Sequence, residues 1–102
     1  MGANAQISRR KQRLALEGRA VIKHFGSSTK FRADLFDLST VGCRIATQAA
    51  IRTGTRLLIK IPGLEFWQGT VVWRRGHDAG VEFERELHPA IVERYAEVFA
   101  PG

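Results

Sequence analysis

The chain has 102 residues, 44% of them apolar and 25% charged, which suits one soluble globular domain with a small core and excludes a disordered segment. No window approaches about 18 uninterrupted apolar residues, so no membrane span is expected, and the single cysteine, Cys43, excludes an internal disulfide. The net charge of +6 is lopsided: residues 1–32 hold eight Arg or Lys against Glu17 alone, and residues 33–102 hold eight against nine acids.

In chain order, residues 1–13 are polar, lack an apolar period and read as a flexible basic arm. The start, MGANAQISRRKQR, lacks the apolar middle of a secretory signal, so with its lone cysteine the chain is expected in the cytoplasm. Residues 14–99 read as the folded domain. Leu16, Gly18, Ala20 and Ile22 alternate with outward residues, which predicts a strand over 15–25. A turn at Gly26–Ser28 leads into a second strand, Phe31–Leu38, and a third follows over Gly42–Thr47. Beyond Gly54, TRLLIKI alternates Leu57, Ile59 and Ile61 with Leu58 and Lys60; QGTVVWRR and AGVEFE supply the last two strands. Six short strands at regular spacing predict an all-β antiparallel barrel or sandwich. The period then changes: Pro89 suits a first helical turn, and Ile91, Tyr95, Val98 and Phe99 recur at helical spacing. One C-terminal helix closing an end of a six-stranded barrel is the expected architecture.

The residues of catalysis are not arranged for it. His24, His77 and His88 show no metal-ligand spacing with one another or with Cys43, and no nucleophile triad, Walker loop or dinucleotide fingerprint is present. His77 and His88 read as turn and capping residues, Cys43 as a small buried apolar group. An enzyme is not expected. Trp67 and Trp73 are candidate base-stacking platforms, but alternation with Val71 assigns Trp73 to the core, and Trp67 stays open between core and surface.

Two polar clusters remain. SRRKQR, residues 8–13, sets Arg9 and Arg13 four apart with Arg10 and Lys11 between; DLSTVG, residues 37–42, gathers Asp37, Ser39 and Gly42 at the end of the second strand. Singly each is commonplace. Antiparallel neighbours, however, bring the beginning of one strand beside the end of the next, so the two clusters are expected to meet at one edge of the barrel.

With these motifs, and with VVWR and AGVEF ahead of a C-terminal helix, the chain resembles the PilZ domain, a bacterial receptor family for cyclic di-GMP, from about residue 7 to 99. The resemblance implies a split six-stranded barrel with one helix and a ligand site of Arg9, Arg10, Arg13, Asp37, Ser39 and Gly42. Arginine's planar fork bonds phosphate oxygens or the guanine O6/N7 edge and stacks on a base. Asp37 would accept from guanine N1–H and N2–H, Ser39 would add a hydroxyl, and Gly42 would allow close approach. The implied output is ordering of the arm, read by a downstream protein partner. Many members carry a further Arg just before RxxxR; Ser8 stands there in this chain, which favours one ligand per chain. Two other readings stand beside this one: a PilZ-like adaptor that binds no nucleotide, and a small basic barrel for nucleic acid. The second is disfavoured because the charge gathers in the N-terminal third instead of interleaving with aromatics on the strands.

Overall fold

A computed structural model describes residues 18–99 apart from residue 62. Among the described residues it contains β1 (Gly18–His24), β2 (Phe31–Leu38), β3 (Gly42–Ala46), β4 (Arg56–Lys60), β5 (Phe66–Arg75), β6 (Asp78–Phe83) and a helix, α1 (Pro89–Phe99). The strands close into an antiparallel barrel in the order β1-β2-β3-β6-β5-β4, with β1 against β4 as the closing pair. The expected fold is the observed one, and strand limits differ from expectation by a residue or two: β1 ends at His24 and β3 at Ala46, while residues 15–17 lie outside the described part.

Alternation builds the core. Ala20 and Ile22 of β1, Ala33 and Leu35 of β2, Cys43 and Ile45 of β3, Leu57 and Ile59 of β4, Val71 of β5 and Val81 of β6 all face inward and are buried. Ile22, Leu35, Ile45, Leu57, Ile59, Ile61 and Val71 are the largest side chains with almost no exposure, each stabilising the fold by roughly 1.5–3 kcal/mol before entropy is counted. Turns between strands use left-handed glycine where an L side chain would be strained, as at Gly26 (φ 87°) and Gly76 (φ 60°).

Two irregularities interrupt the alternation. Between Leu35 and Asp37 the β2–β3 register slips by one residue, so that Leu35 pairs with Ile45 but Asp37 with Arg44. Between Val71 and Trp73 the β5–β6 register slips likewise, with Val71 opposite Val81 and Trp73 opposite Gly80. Phe36 and Val72 are the extra residues of two β-bulges.

The helix starts as its sequence suggests. Pro89 occupies the first turn, where no amide donor is needed, and His88 caps it: its Nδ1 accepts from the Ala90 amide at 3.0 Å. From the predicted stripe Tyr95 is buried and Ile91 half-buried; Val92, outside that stripe, also packs on the core. No helix among the described residues is long and apolar enough to cross a membrane.

Candidate functional site

The two bulges decide what the barrel shows on one side. Strict alternation from Ala33 and Leu35 would turn Asp37 inward. The extra Phe36 resets the phase, so Asp37 points out beside Arg44 while Leu38, opposite Cys43, packs against the core. In β5 the same device acts on Trp73. It was expected in the core with Val71, and the structure corrects this: Trp73 is 38% exposed, because Val72 adds a residue between them. The indole sits over β6 where a Cβ on residue 80 would go, so Gly80 makes room for it.

Asp37, Ser39 and Gly42 come together in a cleft of about 400 Å³ with Arg44, Trp73 and Gly80, floored by Val92, Tyr95 and Ala96 of α1. That size falls within the roughly 300–1,000 Å³ of small-molecule sites. A larger groove, about 810 Å³, opens toward the opposite ends of β2 and β3, lined by Arg32, Thr47 and His77 among others; Asp37, Ser39 and Gly42 are not among its described lining residues. Predictions at Arg9, Arg10 and Arg13, and that of an arm over 1–13, lie outside the described residues.

Within the cleft each predicted residue has a definite setting. Arg44 Nε donates to Asp37 Oδ2 at 3.0 Å, and Arg44 Nη1 lies 3.6 Å from Asp78 Oδ2. The Arg44 guanidinium also covers the Phe36 ring at 4.9 Å. The Asp37 and Arg44 side chains are about a third exposed, so the pair adds only about 0–1 kcal/mol to stability and serves mainly to orient the carboxylate. Ser39 is committed to its own loop: its Oγ accepts from the Val41 and Gly42 amides and donates to the Gly42 carbonyl, each at 3.2 Å. Those three bonds use one donor and two acceptor sites, the whole capacity of a hydroxyl. A Cβ at Gly42 would meet the Val81 carbonyl of β6, so the glycine accommodates the neighbouring strand; the close approach expected of it was that of a ligand. Further bonds from Leu87 N to Thr40 O at 2.8 Å and from Phe83 N to Val41 O at 2.8 Å tie the loop down.

Below the cleft, burial pushes the Cys43 thiol from its ordinary 9.0 up to about 12, which leaves it protonated and unreactive at neutral pH. Tyr95 is likewise raised to about 12, by burial first and by Cys43 second. The Tyr95 hydroxyl lies against Gly18, the first residue of β1, where a Cβ would overlap it. The barrel therefore receives its chain beside the cleft, at the end where β2 runs into the 39–42 loop.

Sequence reasoning missed Arg44 and assigned Trp73 to the core. Arg44 had a signal, since Cys43 and Ile45 inward leave it outward next to Asp37. Trp73 was weighed as a stacking platform, but nothing signalled its outward turn, because a single-residue bulge leaves the composition of VVWRR unchanged.

The described residues thus form a small closed barrel with a C-terminal helix and a cleft in which an ion-paired Asp37–Arg44 stands beside an exposed indole. The family model described as PilZ domain matches residues 7–97, and the chain belongs to the PilZ domain family. No curated protein matches it. The family is one of ligand-binding effector domains that respond to cyclic di-GMP.

Proposed function

We propose that this chain is a receptor for cyclic di-GMP, which it takes into the Asp37–Arg44–Trp73 cleft and holds there with Arg9 and Arg13. The observation that carries this reading is convergence: the Asp37–Ser39–Gly42 loop, an exposed indole and the beginning of β1 adjoin one cleft. Arg13 precedes Gly18 by five residues, which limits its distance from the start of β1 to at most about 17 Å.

The roles follow from chemistry. Arg44 occupies one oxygen of Asp37, leaving Oδ1 to accept from a guanine N1–H or N2–H. Ser39 and Gly42 shape the loop that presents Asp37. Trp73 offers an aromatic face for a base. Arg9, Arg13 and Arg10 supply forked donors for phosphate and the guanine edge. Ordering residues 7–13 costs roughly 1–2 kcal/mol each in backbone entropy, and each charge-assisted hydrogen bond returns about 1.5–3 kcal/mol. Several contacts must form together, so binding switches the segment as a unit, and a protein partner reads that change.

Calorimetric titration with cyclic di-GMP, against GMP and GTP, tests the proposal. Saturable binding of the dinucleotide at one per chain is expected, with Asp37→Ala, Arg9→Ala and Arg13→Ala each weakening it by roughly 2–5 kcal/mol. No binding by the unaltered chain, or equal affinity in the Asp37→Ala chain, overturns it.

A further inference from the structure

The wall of the barrel opposite the cleft carries a different surface. On the outer faces of β1 and β4, with the beginnings of β2 and β5, the register lines up Arg32, Val21, Lys60 and Phe66 in one row, with Lys23 and Leu58 paired in the next. Three ammonium groups surround the Phe66 ring: Lys23 Nζ at 4.6 Å, Lys60 at 5.9 Å and Lys30 at 6.0 Å from its centroid. Next to them Arg56 covers the ring of Phe25, which is 50% exposed, at 4.5 Å. Among the described residues none of these five cations is ion-paired with a carboxylate, and the carboxylate adjoining Phe66 in the chain is Glu65.

Like charges concentrated on rigid strands repel one another and lower the stability of the compact state. Their convergence on an apolar floor of Val21, Leu58 and Phe66 fits a partner that brings both negative charge and apolar contact. The ring faces narrow the choice. Phe25 is covered by Arg56, Phe66 is ringed by ammonium groups, and His24 meets Phe31 edge-on with centroids 6.2 Å apart. The Phe66 ring at the centre of the patch is thus engaged by cations, while Phe25 and Phe31 at its margin keep part of their surface exposed. The three cations around Phe66 are lysines, compact point charges without the bidentate fork of Arg32 and Arg56 at the margin of the patch.

We infer that this wall, centred on Lys23, Lys60 and Phe66, docks an acidic segment of a partner protein, its carboxylates meeting the lysines and an apolar side chain resting on Val21 and Leu58. The surface lies across the barrel from the nucleotide cleft and is independent of whether that cleft is filled.

The test is a titration of the full-length, isotope-labelled chain followed by amide NMR. The probe is a synthetic peptide alternating Glu with Leu, and the control is its Gln–Leu counterpart. Vesicles of phosphatidylcholine with phosphatidylglycerol and a single-stranded oligothymidylate form the other arms. Expected are saturable shifts at Val21, Lys23, Leu58, Lys60 and Phe66 with the acidic peptide alone. In the Lys23→Glu, Lys60→Glu chain that affinity falls by about tenfold or more, while calorimetric binding of cyclic di-GMP is unchanged. The Lys23→Gln, Lys60→Gln chain, which adds no new charge, gives a smaller loss in the same direction. Equal response to the Gln–Leu peptide, unchanged affinity in both variants, or a stronger response of these amides to vesicles or oligonucleotide overturns the inference. Because the nucleotide titration is read in the same variants, failure here is distinct from failure of the receptor reading.

Discussion

Arg44 Nε occupies Asp37 Oδ2 at 3.0 Å while Phe36 supports the guanidinium from behind. A carboxylate held this way at the cleft has less freedom left to lose, which lowers the entropy lost on binding. Trp73 is prepared similarly: Gly80 beneath it leaves the indole seated on the strand and exposed. Stacking one base on such a ring contributes about 1–3 kcal/mol. Trp73→Ala is therefore expected to weaken cyclic di-GMP by that amount, and Trp73→Phe to retain most of the affinity, as read by calorimetry. Equal affinity in the Trp73→Ala chain would leave the indole without a part in binding. Ser39 shows the reverse relation between motif and contact. Its position in DLSTVG was legible, yet its hydroxyl is spent on the Val41 and Gly42 amides and the Gly42 carbonyl, and no spacing in the sequence announces that.

The six strands and the helix were legible because period two and period 3.6 are written directly into the apolar positions, as in Leu57, Ile59, Ile61 and in the i, i+4 spacing of Ile91 and Tyr95. What sequence could not supply was phase. A bulge inserts one residue without changing the local composition, and every side chain beyond it changes face. Phe36 and Val72 do this on β2 and β5, and they turn Asp37 and Trp73 toward solvent. The contact between α1 and the barrel has a signature of its own. Cys43 and Tyr95 both have folded pKa values near 12, above their ordinary 9.0 and 10.0. Because the folded values are raised, the stability tied to these groups is whole below about pH 9 and drains away as pH rises toward 12, where the unfolded chain alone ionises them. Urea unfolding is expected to show this decline between about pH 9 and pH 11, with a shallower slope in Cys43→Ala. An identical slope in that variant would mean the thiol is not held protonated by burial.

On the scale of the whole molecule, the closed barrel has two walls of different character. One wall, from β2 through β3 and β6 to β5, carries both bulges and the cleft; the other, on β1 and β4, carries lysines around Phe66 that form no ion pair with a carboxylate among the described residues. Of the N-terminal excess of positive charge, Lys23, Lys30 and Arg32 sit on the β1–β4 side, and Arg9, Arg10 and Arg13 lie outside the described residues. Amide and indole NMR of the full chain during addition of cyclic di-GMP reads this division most directly. Saturable shifts gathered at Asp37, Val41, Gly42, Arg44 and the Trp73 indole, with Lys23, Lys60 and Phe66 unmoved, are the expected result. Shifts gathered instead in the groove of Arg32, Thr47 and His77, or no saturable shifts at all, would contradict it.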